Sequence, residues 1–146
     1  MSEVSINFNT QSTNFNLSQK TIIRKWLCSA ALKEGYRINS LSYIFCNDSD
    51  LLKINKEYLN HSTLTDIITF DLSEKTSPGI EGDIFISIER VKENARTFKV
   101  PFTLELKRVM IHGLLHLMGY KDKTSAQIAE IRKKEDAYLS LFDKMK

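Results

Sequence analysis

HGLLHLMGYKD, residues 112–122, holds two of the chain's three histidines four residues apart, then a Gly-Tyr pair and an acid. The run around it, VMIHGLLHLM (109–118), is apolar almost all round, the pattern of a helix buried in the middle of a domain rather than lying on its surface. At about 100° per residue, positions four apart differ by roughly 40° in direction and about 6 Å in rise, so His112 and His116 can aim their imidazoles at one point. Gly119 stands where a helix end needs a residue tolerant of left-handed backbone, and Asp122 follows three residues on, close enough for the reversed chain to bring a third ligand back. His-x-x-x-His-x-x-Gly-x-x-Asp is thus one geometric unit. It suits either a bound metal ion or a pair of hydrogen-bonded core histidines.

Outward from this helix the period of the apolar residues changes several times. Val4, Ile6 and Phe8 alternate as in a half-buried strand, whereas LSQKTIIRKWLCSAALKEG (17–35) places Ile23, Trp26, Leu27 and Ala30 on one helical face that Gly35 ends. LSYIFC (41–46) reads as a buried strand. Asn47 and Asp48 offer caps to a helix SDLLKINKEYL ending near Leu59, because their side chains accept bonds from amides otherwise left without partners. TDIITFDL (65–72) and DIFIS (83–87) are rich in β-branched and aromatic residues, and SEKTSPGIEG between them carries turn chemistry, so two neighbouring strands joined by a loop are expected. Three helices complete the chain. IERVKENARTF is the first, Pro101 starts the one bearing the histidines, and Thr124 with Gln127 forms a capping box for the last, whose Ile128, Ile131, Tyr138 and Phe142 are expected to face inward.

With 146 residues, 42% of them hydrophobic, and no repeat, linker or low-complexity tract, the chain is expected to be a single domain over 1–146, of α+β class with a small mixed β-sheet packed with helices. Its 21 basic and 18 acidic residues leave a formal charge of +3, which tolerates a nucleic-acid partner without demanding one. No stretch resembles a signal peptide or reaches the length of a membrane span, so a cytoplasmic protein with no membrane partner is expected. The two cysteines, Cys28 and Cys46, fit no Cys-x-x-Cys spacing and read as buried thiols.

The histidine spacing matches the metzincin zinc motif His-Glu-x-x-His-x-x-Gly-x-x-His, with Gly113 in place of the glutamate and Asp122 in place of the last histidine. In peptide hydrolysis that glutamate carries the proton from water to the leaving amine, and glycine can do neither, which argues against a peptidase. More narrowly, HGLLHLMGYKD resembles the His-Gly-x-Leu-His-Leu-x-Gly-Tyr-Asp-His signature of the YbeY family, bacterial zinc-dependent endoribonucleases that mature ribosomal RNA. TDIITF (65–70) is similar to that family's Thr-Asp-Val-Leu-Ser-Phe segment and GDIFIS (82–87) to its Gly-Asp-Ile strand, in the same order. The resemblance implies a zincin-like fold with the metal site on a buried helix and the turn after it. It implies one zinc per chain, held by His112, His116 and Asp122, and no organic cofactor. It also implies action on single-stranded RNA in small-subunit ribosomal RNA maturation and ribosome quality control, with ribosome-associated proteins as partners.

Two positions depart from the family pattern. Lys121 and Asp122 stand where it has Asp-His, making the third ligand a carboxylate, which zinc accepts at similar distances. Leu59 stands where the family has an arginine, so the charge on a reacting phosphate needs another cation. His61, Lys121, Lys123 and Arg96 are the candidates, and His61, Asp66 and Lys121 form the expected catalytic set. Asp66 and Asp83 read either as groups orienting a ligand or a water, or as ordinary strand-edge acids. Tyr120 either lines the cleft or packs. The basic residues at 107, 108, 132, 133 and 134 read as solvated helix faces, some of which can join a phosphate track. The expected function is a zinc-dependent RNA hydrolase with zinc-bound water as nucleophile; the alternative is a non-catalytic ribosome-assembly factor with a structural metal.

Overall fold

The computed structural model describes residues 4–58, 65–74, 76 and 78–146. In chain order they form β1 (Ser5–Thr10), α1 (Lys20–Lys33), β2 (Arg37–Cys46), α2 (Asp48–Tyr58), β3 (Ile67–Asp71), β4 (Gly79–Ser87), α3 (Ile88–Phe98), α4 (Phe102–Leu117) and α5 (Ser125–Met145). The strands make one sheet in the order β1-β2-β4-β3. β1 and β4 flank β2 in parallel, and β3 joins β4 antiparallel at the edge. Parallel neighbours require a crossover, which α1 supplies between β1 and β2, and α2 with β3 between β2 and β4. The architecture is α+β with a small mixed sheet, as its alternating strand and helix periods predict.

Alternation along β4 divides the interior in two. Ile84 and Ile86 enter the main core, shared with Trp26 and Leu27 of α1, Met110 and Leu114 of α4, and Phe142 of α5. Phe85 points the other way and packs against Leu51 and Ile68 beneath α2. The caps expected from sequence are present. Asn47 Oδ1 accepts from the Asp50 amide at 2.8 Å, and Thr124 and Gln127 bond each other's backbone amides at the start of α5. Asp48 does different work, its carboxylate accepting from Ser87 Oγ and Arg90 and so tying α2 to the start of α3.

Several expectations need correction. β2 begins at Arg37 and β4 at Gly79, earlier than their apolar runs, because Arg37 and Ile38 pair with Gly79 and Ile80, and β-pairing is decided by the neighbour's backbone rather than by side-chain pattern. Asp83 consequently lies inside β4, opposite Phe70, and not at a strand start. Ile128 is 48% exposed, whereas Ile131, Tyr138 and Phe142 are buried as expected: in its first turn α5 has not yet met the core. Of the thiols, Cys46 is buried, its pKa pushed up to about 12 by desolvation and then by Asp50 and Asp48, while Cys28 is only half-buried. The expected end of α2 near Leu59 lies outside the described residues.

The seat of α4 on the sheet is set by Gly113. A Cβ there would stand 2.8 Å from Ile67 Cδ1 and 3.0 Å from Ile84 Cγ2, closer than carbon atoms pack. Ile84 is wholly buried and has nowhere to go. Gly113→Val is therefore expected to destabilise the protein by about 2 kcal/mol through overpacking, read as a lower urea midpoint at unchanged slope. An unchanged midpoint would mean that α4 is free to lift off the sheet.

Candidate metal centre

α4 is buried on nearly every side, Leu106, Val109, Met110, Ile111, Leu114 and Leu115 all lying in the main core. His112 and His116 are half-buried on its one less covered stripe. The helix closes at Met118, and Gly119 adopts φ +99°, where a side chain would be strained. This turn sends the Tyr120 amide back to the Leu115 carbonyl and the Tyr120 carbonyl to His116 Nδ1 at 2.9 Å. Asp122 Oδ2 then lies 3.4 Å from His112 Nε2 and 3.3 Å from His116 Nε2, and the two Nε2 atoms are 2.9 Å apart.

The outward-facing nitrogens assign the protons. A backbone carbonyl carries no hydrogen, so His116 Nδ1 must donate to Tyr120, leaving a lone pair on Nε2. His112 Nδ1 donates in the same way to Glu135 Oε2 at 2.5 Å. With both Nδ1 atoms engaged, the two Nε2 atoms and a carboxylate oxygen converge on one point, an arrangement that could hold a metal ion or share a proton. Four ligands at about 2.0 to 2.1 Å around tetrahedral zinc stand roughly 3.3 Å from one another, close to the three separations here. Burial would depress the His112 pKa, but the hydrogen bond and charge of Glu135, then the charges of Asp122 and Asp66, outweigh it and hold the pKa above its ordinary value. The pocket draws positive charge.

Behind the ligands stands a support whose key residue sequence reading missed. Glu135, only 4% exposed, accepts from His112 on one oxygen and from Arg108 on the other at 2.9 Å, and Arg108 also binds Asp136 at 2.7 Å. A carboxylate on the far ring nitrogen fixes the tautomer and orientation of a metal-binding histidine. The signal was present: Glu135 falls between Ile131 and Tyr138 on the buried stripe of α5, where an acid is tolerated only with partners. The other imidazole depends on Glu34 at the end of α1. Its carboxylate accepts from Tyr120 Oη at 2.6 Å, from Lys134 at 3.1 Å and from Tyr138 Oη, anchoring the turn whose carbonyl holds His116. Tyr120 thus both packs and positions.

A cleft of about 330 Å³ opens beside His112 and Asp122, and Asp66, Arg108 and Arg132 line it. Asp66 accepts from Asn94 at 3.4 Å, and burial raises its pKa despite the opposing charge of His112. Lys121 does not line this cleft; it borders a separate hollow with Gly119, Gln127 and Glu130. Arg96 pairs with Glu93 on the exposed face of α3. His61 and Leu59 lie outside the described residues. Among the basic residues expected to be solvated, Lys107 lies over the Phe142 ring and Lys134 pairs with Glu34, which leaves only Lys133 of the five without such a role or a place in the cleft. A larger groove of about 650 Å³ runs along β1 and α1, but among the described residues it holds no cluster of metal-ligating groups.

Fold and site together define an α+β protein in which two histidines of a buried helix and an aspartate of the turn after it form a candidate metal-binding group. The family model described as Endoribonuclease YbeY matches residues 5–143, and the chain belongs to that family. It is 53% identical to Endoribonuclease YbeY of Flavobacterium psychrophilum over 94% of this chain and 96% of that protein. To the protein of the same name from Cytophaga hutchinsonii it is 52% identical, over 97% and 98%. The solution structure of TM1509 from Thermotoga maritima superposes with a TM-score of 0.64 at 25% identity, covering 94% of this chain and 88% of that one. No helix among the described residues is long and apolar enough to cross a membrane.

Two outcomes test the support. Glu135→Gln is expected to weaken zinc binding by about 10- to 100-fold, measured by competition with a chelating dye; unchanged affinity would show that His112 needs no orienting carboxylate. The Glu34 carboxyl is desolvated, which alone would raise its pKa, but the bonds from Tyr120, Tyr138 and Lys134 hold it below the ordinary value. A depressed folded-state pKa contributes stability that is present above the unfolded value and lost as pH falls through the folded one. Glu34→Gln should thus cost about 1–2 kcal/mol at neutral pH, and urea melts at successively lower pH should show wild type and variant converging below about pH 4.3.

Proposed function

We propose that this chain is a zinc-dependent endoribonuclease that cuts single-stranded RNA during ribosomal RNA maturation. Membership of the endoribonuclease family makes RNA hydrolysis its reaction. The finer reading is supported by one observation above all, the convergence of His112 Nε2, His116 Nε2 and Asp122 Oδ2 with both Nδ1 atoms already engaged.

These three residues would hold the zinc. Bound there, zinc supplies a Lewis acid for a phosphate oxygen and a water acidified to a pKa of about 7. The chain's own residues do the rest. Glu135 and the Tyr120 carbonyl keep both imidazoles in the tautomer that presents Nε2, so the ligand set needs no rearrangement before substrate arrives. Asp66, with its raised pKa, takes the proton of the attacking water on its carboxylate. Gly113 faces Ile67 and Ile84 rather than the centre, so the position that carries a proteolytic glutamate elsewhere is used here for packing. The centre is recessed on a half-buried stripe of α4, which a splayed single strand reaches and a paired one does not. His61 and Lys121 remain proposed contributors of positive charge to the phosphate.

Purified protein should carry about one zinc per chain. His116→Ala should lose most of it and most single-strand cleavage, Asp122→Ala should weaken it, and Asp122→His should retain it. Full zinc occupancy in His112→Ala and His116→Ala would end the metal assignment. Equal restoration of ribosomal RNA maturation in a deletion strain by wild type and by a folded His116→Ala protein, with no RNA cut by either, would make this an assembly factor instead.

A further inference from the structure

The cleft beside the metal ligands contains three features that the proposed chemistry leaves unexplained. The first is Glu105 on α4, seven residues and about 10 Å along the helix from His112. It is only 5% exposed, yet its carboxylate accepts no hydrogen bond from any described residue. Burial, then the charge of Asp66, raises its pKa, and attraction from Arg108 and Arg132 does not offset this. Its oxygens face the open cleft rather than the closed core, so donors of a ligand seated there can reach them. The second is Phe98, at the end of α3, 57% exposed and stacked on no other ring among the described residues; it lines the same cleft, with the exposed Ile128 of α5. The third is Arg132. Arg108 is fully engaged by Glu135 and Asp136, whereas Arg132, exposed at the cleft, makes no ion pair or hydrogen bond among the described residues.

We propose that this cleft is a nucleotide subsite for the residue adjacent to the scissile phosphate, in which Phe98 stacks on the base, Glu105 accepts hydrogen bonds from the base edge, and Arg132 binds the neighbouring phosphate. The inference rests on the RNA-hydrolysis reading above and adds a base preference to it. A volume of about 330 Å³ is at the small end of ligand sites and suits one nucleotide, not a strand. Unstacked RNA bases are held by aromatic rings and read on their Watson–Crick edges. A carboxylate offers two acceptor oxygens and no donor, so it favours the base with two adjacent donors on that edge. Guanine has them, its imino N1–H beside its amino group; uracil offers a single imino hydrogen, and adenine and cytosine each offer an amino group beside an acceptor nitrogen that repels a carboxylate. The guanidinium of Arg132 supplies cationic charge in a cleft whose acids are Asp66, Glu105, Asp122 and Glu135 and whose other arginine, Arg108, is engaged by Glu135 and Asp136.

The test uses the full zinc-loaded chain and the four nucleoside 5′-monophosphates, titrated by calorimetry and by chemical-shift perturbation. Guanosine monophosphate should bind at least tenfold more tightly than the other three and shift Phe98 resonances. Glu105→Gln should erase that preference, Phe98→Ala should weaken all four by about tenfold, and Arg132→Ala should weaken all four while leaving the preference intact. Zinc content should be unchanged in every variant, which separates subsite loss from collapse of the centre. Equal affinities for the four nucleotides in wild type, or affinities unmoved by Glu105→Gln and Phe98→Ala, overturn the proposal. In RNA sequenced after partial cleavage, guanine should be enriched beside the cuts made by wild type and not beside those made by Glu105→Gln. Failure to cut RNA while guanine-selective binding persists would count against the nuclease reading and not against the subsite.

Discussion

Helix α4 lies so close to β3 and β4 at Gly113 that a methyl group there would stand 2.8 Å from Ile67 Cδ1 and 3.0 Å from the buried Ile84 Cγ2, which would have to shift to admit it. Everything around the centre is arranged by that approach. It buries α4 on most sides, leaving one stripe for His112 and His116, and places that stripe beside the strand end that carries Asp66. A side chain at 113 would push α4 outward and with it both imidazoles, so the residue that looks in sequence like a missing catalytic acid is a spatial requirement of the fold.

The second layer is electrostatic. Two histidines on an apolar helix are costly unless their ring nitrogens are occupied. Each Nδ1 is met by an oxygen from a different part of the chain, Glu135 on α5 and the Tyr120 carbonyl of the turn. Both supports are anchored in turn, Glu135 by Arg108 and the turn by Glu34. Packing of α1 and α5 against α4 is thereby coupled to the orientation of the Nε2 atoms. Replacing a residue such as Glu34, well away from the converging lone pairs, acts on the centre through this chain of bonds.

The cleft combines attraction and repulsion. Acids outnumber bases along its wall, which favours a bound cation and resists a bare polyanion. In the proposed reading RNA would enter such a place only where positive charge is local: at the candidate metal ligands once occupied, and at Arg132. Under the subsite proposed above, selectivity for an unpaired strand would follow from shape as well as charge, since a base would have to leave its stack to meet Phe98.

Much of this was legible in the residues themselves. Helix and strand periods, the caps at Asn47 and Thr124, the turn at Gly119 and the spacing of His112, His116 and Asp122 are local features, set by backbone geometry over a few residues, and the chain carries them wherever it folds. The early starts of β2 and β4, the exposure of Ile128, and the partners of Glu34, Glu105 and Glu135 were not legible in that way. Lys121, beside the aspartate in sequence, faces another hollow, whereas Arg132, eleven residues further on, shares the cleft. The reason is physical: sequence reports the direction of a side chain on its own element, but partnering and burial depend on which other elements arrive opposite it, and only the packing of α1, α3, α4 and α5 around the sheet decides that.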